Sequence, residues 1–156
     1  MTAALTIGAP APDFELPASG GGSLSLAGLK GKAVVLYFYP KDDTSGCTKE
    51  AIDFNRLKGE FEKAGAVIVG VSPDSVASHD KFKAKHSLDL DLAADEEKAM
   101  LEAYGVWKAK SMYGKSFMGV ARTTVLIDKD GRIAKVWDKV KVDGHADAVL
   151  AAVKAL

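Results

Sequence analysis

Cys47 is the only cysteine in the chain, and it directly follows Thr44, Ser45 and Gly46. A lone cysteine is most often a small buried hydrophobe with an inert thiol. This one stands where the backbone favours an anion. In residues 47–65, CTKEAIDFNRLKGEFEKAG, Ala51, Phe54, Leu57 and Phe61 recur at helical spacing and Gly65 supplies a stop. Cys47 lies four residues before Ala51 and shares that inward face. The first N–H groups of a helix have no partner within it and point at whatever lies over the first turn. A thiolate there is stabilised by those donors and by the helix dipole, worth up to ~2 kcal/mol in a partly buried setting.

Ionisation alone makes no fast catalyst. The nucleophilicity of a thiolate falls as the thiol becomes more acidic, with a Brønsted slope of ~0.4–0.5, so much of the gain in thiolate is offset. Speed requires stabilising the transition state and its departing group. A hydroxyl and a cation near the sulfur would do so. Thr44 offers the hydroxyl, and Pro40 ends the preceding strand and is expected to turn Thr44 inward. The cation must come from elsewhere. Residues 105–141 carry Lys108, Lys110, Lys115, Arg122, Lys129, Arg132, Lys135, Lys139 and Lys141 against Asp128, Asp130 and Asp138. That excess is either a solvated basic face or a field favouring a nearby anion.

The elements that must position these residues follow from periodicity. The run AVVLYFY (33–39) is continuously apolar and aromatic, as in a strand covered on both faces. AVIVGVS (66–72) is a second such strand, and short strands are expected at 13–16, in 23–32 and at 88–92. Helices are expected at 74–86, 95–105 and 144–156, and 122–128 with 132–137 form a hairpin across DKDG. Residues 106–121 have no clear period and read as a long loop, of the kind that serves a site or is disordered. The order is that of a three-layer α/β domain of thioredoxin-like fold, a central mixed sheet flanked by helices, with 1–156 as a single domain.

Composition narrows the function. With 47% hydrophobic and 27% charged residues and a formal net charge of zero, the chain reads as an ordinary globular protein without the basic excess of a nucleic-acid binder. The longest apolar run, 33–39, is too short to span a bilayer, and the first residues lack a secretory pattern. One cysteine excludes an internal disulfide and points to a reducing, cytoplasmic setting. No C-x-x-C exists, so dithiol oxidoreductase chemistry is excluded. His79, His86 and His145 have no ligand spacing and are expected on helix surfaces or ends, so no metal and no cofactor is expected. AKSMYGKS (109–116) echoes a phosphate loop only by chance, and PASGGGS (17–23) is a turn. Trp107, Tyr113 and Phe117 either wall a pocket or simply pack, and the linear pattern shows no exposed apolar patch.

YPKDDTSGCTKE, with Pro40, Thr44 and Cys47 in the spacing P-x-x-x-T-x-x-C, resembles the active-site motif of the peroxiredoxins. The resemblance extends through GAPAPDFEL (8–16), GVSPDS (70–75) and SMYGKSFMGVARTTVLIDKDG (111–131). Within that family the chain is most similar to the bacterioferritin-comigratory, Q-type group. The resemblance implies that Cys47 is the peroxidatic cysteine, oxidised to sulfenic acid by hydrogen peroxide and small organic hydroperoxides. It also implies that Thr44 and the Cys47 N–H bind the peroxide, Arg122 is the missing cation, and Pro40 shields the thiolate. Glu50, one turn after Cys47, either orients Arg122 or is an exposed helix carboxylate.

The departures from the family pattern are Ser45, where proline is common, and the two places where relatives carry a resolving cysteine, here Ile52 and Lys83. The chain therefore resembles a one-cysteine type, restored by an external thiol such as thioredoxin, glutaredoxin or glutathione, and expected to be a monomer. A Cys47–Cys47 disulfide between two molecules is sterically awkward for an inward-facing thiol. The rival readings are a peroxide sensor that relays oxidation to a partner protein, and a packing module in which Cys47 is incidental.

Overall fold

The computed structural model describes residues 5–156, so the first four of the residues read above for a secretory pattern lie outside it. The chain opens with a small antiparallel pair, β1 (Glu15–Pro17) and β2 (Ser23–Ser25). It continues through β3 (Ala33–Phe38), α1 (Ser45–Lys63), β4 (Ala66–Ser72), α2 (Val76–His86), β5 (Asp91–Ala94) and α3 (Ala99–Ala103). A second antiparallel pair follows, β6 (Trp107–Met112) and β7 (Lys115–Val120), then β8 (Thr123–Ile127), β9 (Ile133–Trp137) and α4 (His145–Lys154). The main sheet has the order β5-β4-β3-β8-β9, with β3, β4 and β5 parallel and β8 and β9 antiparallel.

The expected thioredoxin-like mixed sheet is present, and β3 is buried along its whole length. Its residues alternate between two cores. Val35 and Tyr37 face α1 and α4, meeting Ala51, Phe54, Phe61, Val149 and Val153. Val34, Leu36 and Phe38 face Phe14, Leu26, Met100, Leu101 and Tyr104. α1 buries Cys47, Glu50, Ala51, Phe54, Leu57 and Phe61, the inward stripe read from its spacing with one acidic residue added. Among the described residues no helix is long and apolar enough to cross a membrane.

Several expectations need correction. Residues 106–121 are not a loop but the β6–β7 hairpin, closed by Tyr113 (φ 52°) and Gly114 (φ 75°). Two successive left-handed residues make the tight turn that matches strand twist. Tyr113 is fully exposed at the tip and walls no pocket. The arm also exposes two large apolar side chains, Phe117 on one face and Met118 on the other. The helix expected at 95–105 is only Ala99–Ala103, because Lys98 is left-handed (φ 65°) and the Asp95 carboxylate takes the Leu101 N–H at 2.8 Å. The strand expected at 88–92 lies at Asp91–Ala94, while Leu88 and Leu90 fill the core ahead of it. His79 is fully buried rather than on a helix surface, and His145, at the start of α4, is buried as well.

Gly70 of β4 pairs with Tyr37 of β3. A Cβ at Gly70 would meet the Tyr37 Cζ and Leu92 Cδ2 atoms at 2.7 Å and the Tyr37 Oη at 2.8 Å. The missing side chain is therefore what lets the Tyr37 ring lie flat and stack on Phe54 (4.7 Å between centroids), which supports α1 beneath Cys47. Gly70→Ala is expected to destabilise the fold by roughly 1–3 kcal/mol through overpacking. Urea unfolding of the two chains checks this, and equal midpoints would contradict it.

Candidate active site

The pairing of Phe38 with Thr123 lays the start of β8 beside the end of β3. Arg122, the residue before β8, thereby reaches the edge where the chain leaves β3 through Pro40 and enters α1. This is the carboxyl end of the parallel strands, where open α/β sheets gather their ligand sites. Cys47 and Glu50 stand one helical turn apart on α1 and are both 1% exposed. The Arg122 guanidinium spans them. Its Nη2 donates to Cys47 Sγ at 3.2 Å and its Nη1 to Glu50 Oε1 at 2.6 Å. Gly46 explains how the guanidinium comes so close, since a Cβ there would lie 3.3 Å from Arg122 Nη2.

Burial works against the Arg122 charge, but Glu50 and Cys47 more than offset it and hold the guanidinium above its ordinary range. For Glu50 the balance is reversed. Burial raises its carboxyl to about 7 even though Arg122 opposes the shift by charge and hydrogen bond. Its second oxygen, Oε2, has no hydrogen-bond partner among the described residues, and neither does the buried Tyr37 hydroxyl. Burial, and then the Glu50 charge, push the Tyr37 phenol well above its usual value. On the far side His145 accepts from or donates to Thr124 Oγ1 at 2.8 Å, and burial with the Arg122 charge lowers it to about 4.

The loop from Pro40 to Thr44 is tied down by groups that the linear spacing does not reveal. Asp42 is buried and receives the Tyr39 hydroxyl (2.6 Å), the Ser78 hydroxyl (2.8 Å) and His79 Nδ1 (2.7 Å). Its own N–H donates to Asp74 Oδ2 at 2.8 Å, and His79 Nε2 reaches the Ala93 carbonyl at 3.0 Å. Asp43, left-handed at φ 60°, meets Lys85 (2.6 Å) and His86 (2.8 Å) from the last turn of α2. The loop is thus fastened to α2 and, through His79, to β5.

Thr44 is the N-cap residue of α1, but it is exposed rather than turned inward, and its hydroxyl donates to the Lys41 carbonyl at 2.9 Å. Pro40 is half-buried at the end of β3. The first helical N–H bond, Thr48 to Thr44 at 2.8 Å, leaves the Cys47 amide ahead of the ladder. The structure therefore joins Cys47, Glu50 and Arg122 by direct contact, with Thr44 and Pro40 on the adjoining loop. Glu50 is no exposed carboxylate. The two positions without a resolving thiol differ: Ile52 is exposed on α1, and Lys83 on α2 donates to Ser19 Oγ at 3.3 Å.

A family profile described as AhpC/TSA matches residues 7–136. The peroxiredoxin Bcp of Bacillus subtilis is 50% identical over 150 residues, covering 96% of each chain. That of Xanthomonas campestris is 52% identical over 148 residues, 94% of this chain and 92% of that one. The chain is a peroxiredoxin of the AhpC/TSA family. Solved peroxiredoxins agree. A Xylella fastidiosa PrxQ variant superposes with a TM-score of 0.93 at 39% identity over 98% of both chains. A Xanthomonas campestris peroxiredoxin Q gives 0.87 at 51% identity over 91% of this chain and 90% of that one.

The Glu50 environment in this peroxiredoxin generates a stability prediction. A carboxyl raised from 4.5 to about 7 binds its proton more tightly in the folded chain than in the unfolded one. Its contribution is therefore complete below pH 4.5 and is lost as pH rises through about 7. Glu50→Gln removes that loss. Relative to the variant, the unaltered chain is expected to lose stability, on the order of a few kcal/mol, between pH 5 and 8. Urea unfolding across that range checks it, and parallel pH curves would contradict it.

Proposed function

We propose that this protein is a thiol-dependent peroxidase in which Cys47 attacks the hydroperoxide and an external thiol restores it. The observation that carries the reading is the contact between Arg122 and the Cys47 sulfur, made by a guanidinium that Glu50 holds from its other side. The Xanthomonas campestris bacterioferritin comigratory protein, 51% identical, has been described for its alkyl peroxide reduction activity, which supports the same substrate class here.

In the first step the Cys47 thiolate attacks one peroxide oxygen in line. The S–O bond forms, the O–O bond breaks, and the departing alkoxide or hydroxide takes a proton to leave as alcohol or water. Arg122 faces the sulfur and the charge developing on the leaving oxygen, so its field acts where the transition state needs it. The Cys47 N–H, outside the helical ladder, is available to the bound peroxide. The Thr44 hydroxyl spends its proton on Lys41, which leaves its oxygen lone pairs to accept a peroxide O–H. Pro40 restricts water at the end of β3, and Glu50 positions Arg122 without touching the substrate.

The second step needs a thiol from outside. Cys47 is the only cysteine and is free, so no internal disulfide forms. Thioredoxin, glutaredoxin and glutathione all have the required chemistry. The single reduced thiol fits a reducing, cytoplasmic setting, and we take residues 1–156 as one domain acting as a monomer.

One equivalent of hydrogen peroxide is expected to add one oxygen to Cys47 with no internal crosslink, and continuous peroxide consumption is expected only with added thiol. Intact-mass spectrometry and a coupled peroxide assay check this. Steady consumption by Cys47→Ser would contradict it.

A further inference from the structure

Between α3 and β8 the chain leaves the main sheet as the β6–β7 arm, a two-stranded sheet of its own. Residues 107–120 carry Lys108, Lys110 and Lys115 and no acidic residue, in a chain whose net charge is zero. The register sets Lys108 opposite Gly119, Lys110 opposite Phe117 and Met112 opposite Lys115. Strand alternation therefore gathers the three lysines and Phe117 on one face of the arm. Trp107 and Val120, on the other face, anchor it to the core. Gly119 lets the cationic face close up: a Cβ there would meet the Lys110 stem at 3.2 Å and the Phe117 ring at 3.5 Å.

This face adjoins the reactive thiol. The arm runs directly into Arg122, and the charges of Arg122 and Cys47 both act on the Lys110 ammonium. Burial and then Arg122 push that ammonium down, and Cys47 pushes it back up. Among the described residues, none of the three lysines is paired with a carboxylate. Phe117, on the lysine face, is 46% exposed. An isolated two-stranded ribbon with exposed apolar side chains and unpaired cations is poorly served by water alone.

We propose that the cationic face of the β6–β7 arm is the docking surface for the protein dithiol that reduces Cys47, and that this partner presents an acidic, partly apolar face around its thiol. The inference rests on the peroxidase reading above and names the partner of that same site. Cys47 is 1% exposed, so a reducing thiol must come in past its neighbours, and the arm leads directly into Arg122, whose guanidinium touches the sulfur. Six residues per strand span roughly 20 Å, more than a small thiol can bridge. A second copy of this chain would set three lysines against three in a symmetric contact, which disfavours it. The chemistry balances. The partner's first thiolate attacks the Cys47 sulfenic sulfur, an S–S bond forms, and the oxygen leaves as water after taking a proton. The partner's second thiol then breaks that mixed disulfide, which frees the Cys47 thiolate and leaves the partner oxidised by two electrons.

The test is Lys108→Glu with Lys115→Glu, two exposed positions away from the reacting atoms, with reduced thioredoxin as the probe. The KM for thioredoxin is expected to rise tenfold or more and to lose its salt dependence. Turnover with dithiothreitol and the rate of Cys47 oxidation by hydrogen peroxide are expected to stay unchanged, which also shows that the variant is folded. An unchanged KM would overturn the proposal. So would a loss confined to the oxidation step, which would assign the face to the hydroperoxide, or turnover of the unaltered chain by glutathione with thioredoxin inert. Failure of the unaltered chain to turn over with any thiol would instead fail the peroxidase reading, and the docking surface with it.

Discussion

A half-buried guanidinium holding a sulfur with one nitrogen and a carboxylate with the other is the constraint that orders this structure. Arg122 and Cys47 are 75 residues apart in sequence, and only the antiparallel pairing of β3 with β8 brings them together. The arrangement is costly to build. Burial opposes the Arg122 charge and the Glu50 charge alike, and removing one partner of such a set strands the other. The chain accepts this cost at one place, where α1 begins, and nowhere else along that helix. Gly46 is part of the same bargain, since any side chain there would crowd the Nη2 that reaches the sulfur.

Precision at the site comes from what lies behind it. The loop that delivers Thr44 is not held by local turn chemistry alone. Asp42 accepts from Tyr39, Ser78 and His79, so the loop is fastened to a core strand and to α2. A buried polar cluster whose members are mutually satisfied rigidifies its surroundings. The exposed pairs of Asp43 with Lys85 and His86 add little energy by comparison, although they share the same geometry. α1 in turn rests on Phe54 and Tyr37, whose stacking depends on the empty space at Gly70. The reactive end of the helix is thus positioned from below by packing and from the side by hydrogen bonds.

Much of this was legible in the residues. β3 and β4 are continuous apolar runs buried on both faces, and α1 shows its inward stripe at helical spacing, with Cys47 on it. Arg122 was legible only through the resemblance, because nothing in local spacing distinguishes it from the other bases of 105–141. The β6–β7 arm is hidden in the linear pattern because its turn is Tyr113-Gly114 rather than Asn-Gly or Asp-Gly, and because its lysines interrupt the apolar alternation. The burial of His79 is not legible locally because it depends on Asp42, 37 residues away. Glu50 was ambiguous because a carboxylate on the inward face of a helix is unfavourable until its cation is known. The inward turn expected for Thr44 failed because Lys41 supplies a nearer acceptor for its hydroxyl.

Having one cysteine shifts the burden of recovery outward. Ile52 is exposed on α1 and Lys83 reaches Ser19, and the chain offers Cys47 no internal partner thiol. In the proposed reaction the oxidative half draws first on the Arg122 contact with the sulfur. The most direct test is the second-order rate of Cys47 oxidation by hydrogen peroxide in Arg122→Met, followed by stopped flow with the fold verified by circular dichroism. The rate is expected to fall by about 10²–10³, as on removal of a preorganised electrostatic donor. An unchanged rate in a folded variant would contradict the account.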